Sequence, residues 1–364
     1  MKTKTEILGA KTYNKLFTSQ TTYKKEYKEL AKYWHPDANK DPDAEQIMAQ
    51  INILYDQAKK ADNKDIWGYF KSIEIQSTKI PYLYQEQTLW GNLYDCEDYI
   101  VYELNEKNYN LYLKNLSMIK FDHKKKEEYF SQFLPQIKQK ISISNNLNYI
   151  FVNKPKDTYP MILVKDILSK KEHAAWVLTR LLNLCVLMNM DNEFSHNAIT
   201  IQNCYVNLKE HSVMLYGGWQ CGTEIGSKLT SMPKEIYQSL PDIVKQNKIG
   251  SSLIDLYGTK LLIQNLLGAH TYIDLKRLIK EPMAKFLMST EIPQIDEFTE
   301  EEKLRFWPKN VANRNDPQTI SNVYSTGLAF NELQKWEKVR SQTFPNHKFI
   351  KINDPGMDRV YNLI

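Results

Sequence analysis

The chain has 364 residues, 42% of them hydrophobic, enough for two or three domains of ordinary size. Its 48 basic and 43 acidic residues leave a net charge of only +5, so composition gives no argument for a nucleic-acid partner. No stretch reaches the ~18 uncharged apolar residues that span a bilayer, and the polar start precedes no apolar signal core, so the expected compartment is the cytosol.

In chain order, residues 10–61 read as helical. A short first helix is expected over 10–17. In the second, Tyr23, Tyr27, Leu30 and Trp34 recur at i, i+4, i+7 and i+11, while Lys24, Lys25, Lys28 and Lys32 fall largely on other faces. His35-Pro36-Asp37 ends this helix, because proline cannot continue it and biases its predecessor away from helical dihedrals. A polar loop over 38–42 leads to Asp43, a candidate N-cap. Ile47, Ile51, Leu54 and Ala58 then repeat the apolar spacing. Two amphipathic helices joined by a short polar loop make an αα-hairpin.

Residues 62–80 lose this pattern and read as a linker. Segments 82–89, 98–104, 110–116 and 148–153 read as strands, with a charged helix over 123–137. Beyond residue 172 the pattern is mainly helical. Residues 175–190 and 251–267 read as buried helices, and 204–207 with 212–216 as a hairpin. Strands first and helices after imply an α+β body. Cys96, Cys185, Cys204 and Cys221 lie far apart, with no histidine at zinc-ligand spacing, so reduced core thiols are expected and no metal site.

The run Tyr27-Lys-Glu-Leu-Ala-Lys-Tyr-Trp-His-Pro-Asp37 resembles the second helix and loop of DnaJ-like proteins, and Gln50-Ile-Asn-Ile-Leu-Tyr-Asp56 resembles their third helix. The resemblance implies a J-domain. Its His35, Pro36 and Asp37 would stimulate a DnaK-type chaperone, with Lys24, Lys25, Lys28 and Lys32 as docking candidates. A lysine face suits an acidic partner through charge-assisted contacts and faster encounter.

Farther on, Ser195-His-Asn-Ala-Ile-Thr-Ile-Gln-Asn203 resembles the catalytic loop of protein kinases, H-R-D-x-x-x-x-N. Met214-Leu-Tyr-Gly-Gly218 stands where that family has its magnesium-binding D-F-G. Pro233 and Glu235 look like remnants of the segment closing the activation loop. The resemblance makes Asp255 the residue that ties down the catalytic-loop backbone. It makes Lys114, in Leu111-Tyr-Leu-Lys114, the nucleotide lysine of the third strand, with Glu127 or Glu128 as its ion-pair partner. His196 and Asn203 match the family, Ala198 replaces the catalytic aspartate and Tyr216 the metal-binding one, with Gly217 beside it in a tight turn. No glycine-rich loop is visible; Gly91 stands alone. Without those aspartates the transfer machinery is missing, so a pseudokinase is expected, with ATP possible but disfavoured and no other cofactor.

The expected organisation is therefore a J-domain at 1–64, a linker at 65–80, a kinase-like N-lobe at 81–160, a helical C-lobe at 161–295, and an extension at 296–364. That extension is read as a helix and basic strand (Phe344, His347, Lys348, Phe349, Lys351) docking on the body. A J-domain on a degenerate kinase-like body resembles chaperone-like proteins of tailed bacteriophages, which would make the partner a host chaperone and the body an adaptor for a client or phage protein. The alternatives are a nucleotide-binding scaffold or atypical phosphotransferase, motivated by Lys114 and Asn203, and a structural virion protein.

Overall fold

A computed structural model of the protein describes residues 2–10, 12–63, 71–88, 90–144, 146–289 and 327–345. The chain divides into two compact units, Met1–Gln85 with Tyr94–Glu97, and Glu86–Leu93 with Asp98–Ile364.

The first unit opens with α1 (Lys4–Gly9) and α2 (Tyr13–Leu16), where one helix over 10–17 was expected. Thr3 and Glu6 form a reciprocal capping box, which lets α1 start far earlier than its apolar content suggests. Helix α3 (Tyr23–Trp34) and α4 (Ala44–Asn63) pack as an antiparallel pair. Ile47, Ile51, Leu54 and Ala58 are fully buried against Leu30, Trp34, Ile7 and Leu16. Tyr27 is only half-buried, stacked on Tyr55 with ring centroids 3.8 Å apart. Asp43 occupies the N-cap position of α4, its carbonyl accepting from Ile47 N–H.

The expected linker corrects to structure. Strands β1 (Lys71–Ile75) and β2 (Thr78–Tyr82) form a hairpin in which Ile73 pairs with Ile80. Its two-residue turn, Gln76-Ser77, is left-handed at both positions. That geometry matches the strand twist but normally advertises itself through Asn or Gly, so the sequence hid it. Residues 64–70 lie outside the described residues.

Beyond the hairpin the chain combines a sheet with a helical region, an α+β arrangement. Strands β3 (Tyr84–Thr88), β4 (Gly91–Asp95), β5 (Tyr99–Leu104), β6 (Ile137–Ser144) and β7 (Leu147–Asn153) make a sheet of order β3-β4-β5-β7-β6. The expected strand over 110–116 is instead helix α5 (Glu106–Leu116). Asn105 caps it by accepting from Asn108 N–H, and Tyr109, Tyr112, Leu113 and Leu116 follow the helical i, i+3, i+4, i+7 spacing. The helix expected over 123–137 is shorter, α6 (Lys124–Phe130) with a 3-10 turn to Phe133, and the chain becomes β6 two residues past Pro135.

Strand β8 (Thr158–Pro160) leads through α7 (Lys165–Leu168) to the buried α8 (Lys171–Val186), which ends in a π-helical turn, Leu187–Asp191. Strand β9 (Phe194–Ser195) precedes the hairpin β10 (Cys204–Asn207) and β11 (Ser212–Leu215), and β12 (Thr223–Glu224) pairs back to β9. Helices α9 (Lys234–Ser239), α10 (Asp242–Asn247), α11 (Ser252–Leu267), α12 (Tyr272–Leu278) and α13 (Glu281–Met288) follow. Helix α11 is apolar nearly all round and lies in the middle of the core.

Helix α14 (Leu328–Thr343), within the expected extension, packs into that core: Trp336 is fully buried and its Nε1 donates to Thr179 Oγ1 at 2.8 Å. Of the expected basic strand, Phe344 follows α14; His347, Lys348, Phe349 and Lys351 lie outside the described residues.

Candidate functional site

The turn after α3 is built from its own side chains. His35 N-terminally bounds it, with its carbonyl accepting from both Ala38 and Asn39 N–H at 2.9 Å. His35 Nδ1 lies 3.3 Å from Asp37 N and 3.5 Å from Asp37 Oδ2, so the histidine ring folds back onto the turn it opens. Asn39 Nδ2 donates to Tyr33 O, Asn39 Oδ1 accepts from Asp41 N–H, and Asp41 Oδ1 accepts from Asp43 N–H, all at 2.9–3.0 Å. This ladder of side-chain-to-backbone bonds holds the loop from the last turn of α3 to the first of α4. The side chains of His35 and Asp37 are 53% and 91% exposed, and Pro36 between them is exposed too.

The lysines of α3 are not equivalent. Lys24 Nζ is 3.1 Å from Asp62 Oδ2, and Asp62 also accepts from Tyr23 Oη at 2.7 Å and Gln20 Nε2 at 3.0 Å. Those donors, Gln20 and Tyr23 ahead of Lys24, hold the Asp62 carboxyl down at about 2. Lys24 is thus engaged in clasping the far end of the helix pair. Lys25, Lys28 and Lys32 are exposed along the rod that ends at Asp37.

In the second unit the structure brings His196, Ala198, Asn203, Tyr216, Gly217 and Asp255 together. Asp255, fully buried on α11, accepts from His196 N–H at 2.9 Å and Asn197 N–H at 2.8 Å, and from Asn189 Nδ2 at 2.9 Å. Asn189 reaches it from the π-turn, a helical irregularity that re-aims a side chain. Asn197 is left-handed at φ 63°, a conformation asparagine tolerates, and its Nδ2 donates to Cys221 O. The His196 ring packs edge-on to Trp219, and burial pushes its imidazole down to about 3.

Asn203 is occupied internally. Its Nδ2 donates to Ala198 O, and its carbonyl accepts from Tyr216 and Gly217 N–H. The glycine side of it is tightly packed: a Cβ at Gly217 would meet Asn203 Oδ1 at 2.5 Å. At Gly218, left-handed at φ 81°, it would meet Ala198 Cβ at 2.8 Å. Ala198 and Tyr216 are both buried.

The placement of Lys114 is a correction. It lies exposed on helix α5 and not on a strand, and no ion pair joins it to Glu127 or Glu128; Glu128 pairs with Lys124 one turn away on α6. The third strand of the sheet is β5, Tyr99-Ile-Val-Tyr-Glu-Leu104, which contains no lysine. Its Tyr102 packs against Tyr112 of α5, with centroids 5.3 Å apart. Tyr112 Oη donates to Tyr216 O, and Asn115 Nδ2 donates to Trp219 O and Gly222 O, each at 2.8 Å. Helix α5 is thereby pinned to the segment after β11. Sequence reasoning missed these residues because neutral hydroxyl and amide groups carry no motif.

An open cleft of about 510 Å³ adjoins Asn203, lined by Thr88, Trp90, Gln202, Glu86 and Glu235, with Lys234 its one cation among the described lining residues. Among the described residues no cluster of three or more His, Cys, Asp or Glu side chains forms a metal site, and no helix is long and apolar enough to cross a membrane.

No protein-family model matches the chain. Over 53 residues it is 47% identical to DnaJ homolog subfamily C member 16 of human and of mouse, and over 54 residues 46% identical to the chicken protein. These matches cover 14% of this chain and span only 7% of the length of those relatives. A solved structure of vaccinia related kinase 3 superposes with a TM-score of 0.40 at 14% identity, over 58% of this chain and 74% of that one.

Proposed function

We propose that the protein is a J-domain co-chaperone whose His35-Pro36-Asp37 tip docks on a DnaK-type chaperone and stimulates its ATP hydrolysis. In this reading the second unit is a kinase-like adaptor body that transfers no phosphate and binds a client or partner. The observation that carries the first part is the exposed, internally braced tip at the end of a rod bearing Lys25, Lys28 and Lys32. An acidic docking surface is the complementary partner. The short stretch of identity to DnaJ homologs supports it.

The second part is supported by a sheet whose third strand is followed by a helix, and by Asp255 gripping the backbone at His196 and Asn197. Phosphoryl transfer needs charge stabilisation at the phosphates and a residue to accept the substrate proton. Here Ala198 offers no acceptor, Tyr216 no carboxylate for a metal, Asn203 is engaged with Ala198 O, and the third strand of the sheet carries no lysine. The nucleotide-scaffold and phosphotransferase readings lose Lys114, one of the two residues that motivated them, and no observation favours a virion role. A cytosolic setting and a phage source, with a host chaperone as partner, complete the proposal.

Binding to a purified DnaK-type chaperone in the presence of ATP tests it. Asp37→Asn keeps size and removes the exposed charge, so it is expected to abolish binding. Equal binding by both proteins contradicts the docking role of the tip.

A further inference from the structure

The loop behind the tip is anchored from a third direction. Lys4, on α1, reaches across to the two carboxylates that flank the start of α4: its Nζ lies 3.3 Å from Asp41 Oδ1 and also pairs with Asp43. Both partners are nearly forty residues away in sequence, so the contact ties the first helix to the far end of the tip loop. Asp41 is the same side chain whose oxygen accepts from Asp43 N–H, and its backbone N–H donates to Asn39. Asn39 in turn holds the last turn of α3 at Tyr33 O. An unbroken series of polar contacts therefore runs from Lys4 through Asp41 and Asn39 to both ends of the His35-Pro36-Asp37 turn.

We infer that Lys4 is a positioning residue for the tip, acting through Asp41 and Asp43. The inference rests on the J-domain reading and deepens it. Two physical effects act in the same direction. Tethering the loop to α1 before docking lowers the ordering cost that binding would otherwise incur. Offsetting one of the two carboxylate charges close behind Asp37 reduces like-charge repulsion against an acidic partner surface, a term that changes encounter and specificity more than folding. The three side chains are 31–41% exposed, where ion pairs contribute little to stability, so a function disproportionate to stability is the expected signature. Its carboxylate partners, Asp43 first, pull the Lys4 ammonium upward; the Asp41 carboxyl is drawn downward first by the Asp43 backbone N–H and further by Lys4.

The test is chaperone ATP hydrolysis titrated with the full-length protein, comparing wild type with Lys4→Ala, Lys4→Arg, the double variant Asp41→Asn/Asp43→Asn, and their combination. Asparagine at 41 keeps an oxygen for the Asp43 backbone, so only the ion pairs are lost. Lys4→Ala is expected to raise the half-saturating concentration about two- to tenfold, the span that ordering one side chain or short segment costs on binding. Its melting temperature should stay near that of wild type. Lys4→Arg, with the same charge and reach, should restore the wild-type value, and Lys4→Ala should add nothing to Asp41→Asn/Asp43→Asn. An unchanged half-saturation in Lys4→Ala overturns the inference, as does a defect that Lys4→Arg shares in full. Should wild type stimulate no better than Asp37→Asn, the J-domain reading itself fails, and this inference with it.

Discussion

Two buried titratable side chains in the second unit act on stability in opposite directions. His196 is held neutral by burial, its pKa down at about 3 from an ordinary 6.5. As pH falls below about 6.5, the unfolded chain takes up a proton that the folded chain refuses, so this residue makes stability fall with pH. Asp255 is pushed up to about 6 from 3.8 by burial, despite its bonds from Asn189, His196 and Asn197. Between about 6 and 4 the folded chain binds that proton first, so this residue makes stability rise as pH falls. Replacing His196 by leucine removes the first effect and leaves the second. The melting temperature of His196→Leu, relative to wild type, is expected to climb between pH 7 and pH 5; a constant offset over that range contradicts the assignment. The same residue scale shows what a motif conceals. His196, Asn203 and Asp255 were readable as a kinase-like set, but their use as a packed structural knot depends on Gly217 and Gly218 fitting closely against Asn203, Ala198 and His196.

At the level of elements, α14 is fastened to the body by a buried ion pair. Lys260 on α11 pairs with Glu332 on α14, both nearly inaccessible to water, and its ammonium also meets Ser289 O and lies 4.0 Å from the Phe286 ring centroid. Removing one member leaves the other charge buried, which costs roughly 3–5 kcal/mol, whereas replacing both by apolar side chains is often neutral. Lys260→Met is therefore expected to lose about that much stability in urea unfolding, with Lys260→Met/Glu332→Leu recovering most of it; equal losses in both contradict the latch. Long amphipathic or apolar elements such as α3, α4, α8 and α11 were legible because periodicity over three or more turns is hard to mimic. The misreadings share a cause. In α5 the Leu111 and Leu113 alternation imitates a strand until Tyr109, Tyr112 and Leu116 are counted with it. In β6 the strand is largely exposed, so its sparse Ile137, Ile141 and Ile143 gave no strong signal. The β1–β2 turn lacks the glycine or asparagine that such turns normally carry.

For the whole molecule, the two units divide the work differently. The first presents charge and a braced polar corner; the second, among its described residues, buries His196, Asn203 and Asp255. The tip was legible in sequence because His35-Pro36-Asp37 sits between two helices of matching period. Its bracing was not read from the sequence, although Asn39 and Asp41 are side chains of the kind that bond backbone two residues on, as they do here. Nor was Lys4, since only the folded chain brings it to them. On the proposed reading the protein acts on another machine's nucleotide cycle. Single-turnover ATP hydrolysis by a DnaK-type chaperone measures that directly. Wild-type protein is expected to accelerate the reaction and Asp37→Asn to leave it at the unstimulated rate; the same rate with both would contradict the account.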